Sequence, residues 1–172
     1  PSLTADNILA VMDKHDILEA LVHHNEARVA YPRARGNRRL LQWIAGIERL
    51  HPVWALEPPP APDPQAARAL VEEMLAAGVR VARLMMGVAP PFLWLWDDLC
   101  SALEEHAVPC LLDFADTRVF TQASTQRAPS DAAIDQLRHI CLAHPHLPMN
   151  LSHLNGGLGI ASNAAPFTTL TR

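Results

Sequence analysis

Five times along this chain an amphipathic stretch of helical period is followed, after a very short turn, by an apolar run, and this alternation limits the folds open to it. The runs are Ile17 to His24, Pro52 to Glu57, Val79 to Gly87, Val108 to Asp113 and Leu147 to His153. They carry the pattern of strands in a parallel sheet that helices cover on both faces. Four of the five end in polar residues capable of chemistry. The chain reads as a repeating α/β protein.

With 172 residues, 49% of them hydrophobic, there is material for one well-buried core and too little for two ordinary domains, so residues 1–172 are read as a single domain. A formal charge of -4, with both signs interspersed, gives no footprint for nucleic acid or an anionic membrane. The one basic cluster, Arg33, Arg35, Arg38 and Arg39, reads as a solvated loop and helix start, or as a clamp for an anionic substrate. The three cysteines sit apart in apolar surroundings, as reduced thiols of a cytoplasmic protein would. No apolar stretch reaches membrane-spanning length, and the polar, helix-like start is not that of a signal peptide.

Punctuation marks the helices. Thr4 can cap the stripe Ile8, Leu9, Val11 and Met12; Asp63 before Pro64 caps the next clear helix, which Gly78 closes, and Ser130 precedes Asp131 in the same way. Pro109 and Pro148 sit one residue inside their runs, where a missing ladder donor is tolerated.

The connections are unequal. Helix-to-strand turns take a few residues, whereas the segments after strands, Asn25 to Gly36, Pro58 to Pro62, Val88 to Pro91 and Phe114 to Pro129, are long and polar or proline-rich. In parallel α/β folds ligands bind in these loops, at the carboxyl ends of the strands. Of the nine histidines, only His23, His24 and His153 end strands on that side. His144-Pro145-His146 has the look of a metal pair, but it falls in a helix-to-strand turn and is expected to be solvated. His15, His51, His106 and His139 lie at helix ends or in short turns.

A flavodoxin-like doubly wound sheet would open on a strand and place its ligand loop directly after it. This chain opens on a helix, and no glycine-rich phosphate loop follows its first strands. An incomplete (β/α)8 TIM-like barrel of about five helix–strand units fits better, since a whole barrel takes about 250 residues. Such a partial barrel exposes strand edges, so self-association or dependence on missing units is expected.

The order of an apolar strand, VHHNEA, a loop reaching Gly36-Asn37, HPVWAL, AAGVRVARLMM, VPCLLDFADTR and AHPHLPMNLSHLNGG resembles the amidohydrolase-related (amidohydrolase type 2) family of metal-dependent TIM-barrel hydrolases and decarboxylases. The likeness spans roughly Leu3 to Gly157 and rests on order and spacing. It implies a chain running from the helix after the first strand through the sixth strand, without the HxH metal pair of the first strand and the late aspartate. His153 then matches a histidine that contacts metal or activated water. Asp113 stands where relatives carry a histidine ligand, a departure from the pattern.

Zinc or a similar divalent ion, held by imidazole and carboxylate, lowers the pKa of bound water so that hydroxide attacks at neutral pH. His153 and Asp113 are therefore the candidate catalytic residues and metal ligands, or a general base with its orienting partner. The bland alternatives are a histidine satisfied by the Asn155-Gly156 loop, and a carboxylate that caps the following loop or pairs Arg118. His24, Arg83 and Asn155 are the candidate substrate contacts. Only one of His23 and His24 can face the barrel axis, and Arg83, inside a strand, needs a partner if buried. Glu57 reads as the start of a stiff exposed loop in preference to a substrate contact, and Trp94 and Trp96 either wall a pocket or pack on a neighbouring subunit. The expectation is hydrolysis or decarboxylation of a small carboxylate-bearing substrate by metal-activated water, with these 172 residues alone not competent. The competing expectation is a metal-free barrel relative, or a flavodoxin-like domain, that binds a small ligand.

Overall fold

The computed structural model describes residues 4–29, 32–85, 94–113 and 131–152, and within them every one of the five runs forms a strand. The order is α1 (Ala5–Lys14), β1 (Ala20–Val22), α2 (Asn25–Val29), α3 (Ala34–Trp43), β2 (Leu50–Leu56), α4 (Pro64–Ala76), β3 (Val81–Met85), α5 (Trp94–Glu105), β4 (Cys110–Asp113), α6 (Asp131–Ala143) and β5 (Met149–Ser152). The strands form one all-parallel sheet in sequential order, curled into a half-barrel.

Three helix-to-strand turns are built alike. Ile17 donates to Met12, Val79 to Met74 and Val108 to Leu103, each from backbone N–H to a carbonyl five residues back. Inside each of these bonds a shorter one runs from Asp16, Gly78 or Ala107 to the carbonyl three residues back. This is the Schellman closure, which needs a left-handed residue. Gly78 supplies it at φ +80°, while Asp16 and Ala107 adopt it at 53° and 50° despite their side chains. At the helix starts Thr4 Oγ1 accepts from Asn7 N at 3.3 Å and Asp63 Oδ1 from Ala66 N at 2.9 Å. The expected Ser130 cap lies outside the described residues. Pro109 and Pro148 enter the ladder through their carbonyls alone, accepting from Ala82 N and Cys110 N.

Alternation along the strands divides two faces. Trp54, Leu56, Ala82, Leu84, Cys110 and Leu112 pack with Val71, Met74, Leu99 and Leu103 of α4 and α5 in the main core. Leu50, Ala20 and Val22 pack on α1 and α3 in a second cluster with Met12 and Leu40. The other face, the inside of the curl, carries Ala55, Arg83, Met85 and Asp113. There Ala27 of α2 packs against Ala55 and Met85.

The segment Asn25 to Gly36, expected as a loop, holds the short helix α2. It approaches α3 so closely that a Cβ on Gly36 would lie 2.2 Å from Ala27 N. Asn37, the next residue, uses both ends of its amide on one peptide position of β2: Nδ2 donates to Ala55 O at 2.9 Å and Oδ1 accepts from Ala55 N at 3.0 Å. β1 pairs with β2 only as far as Pro52, so this side chain stands in for a strand where the ladder has ended.

Candidate functional site

The polar centre of the inner face is built by β3 and β4. Their register sets Arg83 opposite Leu111 and Met85 opposite Asp113, so Arg83 and Asp113 lie two positions apart on the same face of neighbouring strands. Arg83 Nε donates to Asp113 Oδ2 at 2.9 Å, and Nη2 donates to the same oxygen. Asp113 is completely buried and Arg83 is 4% exposed. Desolvating two charges is costly, and such a pair persists only where geometry and further hydrogen bonds compensate. Arg83 meets that demand by reaching back toward β1, placing Nη1 3.0 and 3.1 Å from the two ring nitrogens of His23. Beside Arg83 in the register is Ala55, whose small side chain leaves room for a long one to cross β2.

These contacts decide between the adjacent histidines. His23 turns inward to Arg83, whereas His24 accepts from Glu26 N at 3.2 Å through Nδ1 and so caps α2. His24, expected as a substrate contact, is placed as the cap of α2. Alternation showed that only one could face the axis; the choice depended on α2, which sequence patterning did not reveal.

Arg83 and Asp113, singled out separately, come together. Asp113 pairs with Arg83; Arg118, its expected partner, lies outside the described residues, as do His153 and Asn155. Arg33 is not solvated: it is 7% exposed, donates to Ala27 O at 2.8 Å, and its Nε pairs with Glu57. Glu57 is therefore an ion-pair partner and not just the start of an exposed loop. Arg35 and Arg39 both pair with Glu26.

At the opposite end of the strands, the His144-Pro145-His146 turn divides. His146 is exposed, but His144 is 5% exposed, with Nε2 3.5 Å from Asp97 Oδ1 and Nδ1 3.7 Å from Glu104 Oε2. Asp97 Oδ1 also meets His139 Nε2 at 2.9 Å, so α5 and α6 are linked by polar contacts where bland turns were expected. The cysteines, apart in sequence, are close in space: Cys100 and Cys110 share the main core. Burial, then the neighbouring Cys141, pushes the Cys110 thiol up to about 12; burial, then Cys110, raises Cys100 further.

Among the described residues no three His, Cys, Asp or Glu side chains are grouped to hold a metal ion. Asp113 Oδ2 already accepts from a guanidinium. No described helix is long and apolar enough to cross a membrane. Compared with known proteins, the chain matches no family model and no curated protein.

Proposed function

We propose that the chain is the middle of an amidohydrolase-like (β/α) barrel, and that the whole protein hydrolyses or decarboxylates a small, carboxylate-bearing substrate. One observation supports this above the others. A buried arginine and aspartate stand with a histidine on the inside of a parallel curl, at the carboxyl ends of its strands, where barrels keep their sites. Apolar residues would fill the same space at less cost in desolvation.

In this reading Arg83 is a positioning residue. Its fork holds the Asp113 carboxylate and its third nitrogen holds the His23 ring, so that base and carboxylate keep one geometry before substrate arrives. The metal-activated water that the resemblance implies rests on His153 and on strands beyond these five. No step through a metal follows from the described residues. A second reading, a metal-free barrel relative that binds a small ligand, is favoured by the guanidinium that already neutralises Asp113.

Turnover of a panel of small carboxylates by the whole protein, with and without a chelator, separates the two. The first reading expects turnover that chelation abolishes and zinc restores. Saturable carboxylate binding without turnover, indifferent to chelation, would establish the second.

A further inference from the structure

Outside the polar centre, the carboxyl end of β2 opens into a pocket of about 500 Å³ between α3 and α4. That volume is in the range of small-molecule sites, roughly 300–1,000 Å³. Neither Arg83, Asp113 nor His23 lines it. Its apolar lining comes from Leu70 and from the little of Trp54 that stays exposed, 5%, and the consecutive prolines 58–60 form a stiff wall. Arg33 and Glu57 also border it, but they neutralise each other. Two charges remain on facing helices: Arg38 of α3 and Glu73 of α4, both exposed and neither with an ion-pair partner among the described residues.

A partly apolar pocket bordered by one cation and one anion is complementary to a small zwitterion that carries an apolar side chain beside its two charges. We propose that this pocket binds an α-amino acid with an apolar side chain, its carboxylate on Arg38, its ammonium toward Glu73 and its side chain over Trp54. An exposed guanidinium recognises a carboxylate in bidentate fashion, and the opposite wall rejects a second negative charge. The proposal is independent of the barrel's reaction.

The test uses the whole protein with L-leucine as probe, followed by tryptophan emission and calorimetry. Leucine is expected to bind saturably. 4-Methylpentanoate and 3-methylbutylamine, which each keep one charge, should bind about tenfold more weakly or worse, as should leucine to Arg38→Ala and Glu73→Gln. Both substitutions are at exposed helix positions, so the thermal transition should be unchanged. Trp54→Phe keeps an apolar ring and removes an Nε1–H that has no acceptor among the described residues; it should remove the emission change, while leucine binding is still detected by calorimetry. The proposal is overturned if leucine shows no saturable binding, if either single-charge analogue binds as tightly, if the charge variants bind like the parent, or if the emission change survives Trp54→Phe.

Discussion

Arg83 and Asp113 lie on neighbouring strands, buried together, with two nitrogens of one side chain on a single oxygen of the other. The pair is asymmetric in what its loss would cost. Asp113→Asn leaves the guanidinium desolvated without its counter-charge, and the expected loss of stability is about 3–5 kcal/mol. Urea unfolding of the variant beside the parent measures it; a loss below about 1 kcal/mol would mean that water reaches the pair.

Gly36 allows α2 and α3 to touch. A methyl group there meets Ala27 backbone at 2.2 Å, and backbone cannot yield as a side-chain tip can. Gly36→Ala should cost about 1–3 kcal/mol through overpacking. Because α2 begins at Asn25, just after His23, displacement of α2 should also perturb the His23 ring, visible as a shift of its imidazole resonances.

Ala107 is held in the left-handed region at φ 50°, in the same closure that Gly78 makes without strain. Ala107→Gly removes that strain and loses some of the gain to unfolded-state entropy, for a net stabilisation of about 0.5–1 kcal/mol. A rise in melting temperature records it, whereas a fall would mean that the methyl group packs usefully.

The buried thiols make stability depend on alkaline pH. Cys110 ionises near its ordinary 9.0 when unfolded and only at about 12 when folded, and Cys100 is shifted the same way. The unfolded chain therefore loses protons first, so this contribution is complete below about pH 9 and declines as pH rises toward 12. At pH 10 the urea midpoint should correspond to a loss on the order of 1 kcal/mol per thiol relative to pH 8. A midpoint unchanged over that interval in the parent, or the same decline in a Cys100→Ala/Cys110→Ala variant, would contradict the assignment.

At the β1 end of the sheet, Val11, Ile17, Leu18 and Leu21 are exposed, Leu18 by 80%. Large apolar side chains beside an edge strand promote association. Sedimentation of the chain should show self-association that Val11→Lys/Leu18→Lys reduces; a parent that stays monomeric at every concentration would count against an open barrel edge.

Periodicity made the strands, the parallel sheet and the stability-side turns legible because each depends on local patterning: alternating burial, capping residues and Gly78. The positions of the turns at Asp16 and Ala107 were legible too, but not their left-handed backbone, since tertiary packing imposes a positive φ that neither residue signals. Arg83 and Asp113 were visible one at a time, as a charge inside a strand and a carboxylate at a strand end. Their pairing depends on register between strands 30 residues apart, which no local pattern encodes. Asn37 was equally hidden, although its place beside Gly36 marked the start of α3. Its role exists only because β1 stops pairing at Val22.

Replacing both charges at once separates structure from function. In Arg83→Met/Asp113→Leu no charge is left unpaired, so unfolding free energy should stay within about 1 kcal/mol of the parent or rise. With the polar centre gone, turnover of the small carboxylate by the whole protein should fall at least about 100-fold, the scale of a lost positioning group. A stable double variant that turns over substrate at the parent rate would make the pair purely structural and contradict the proposed site.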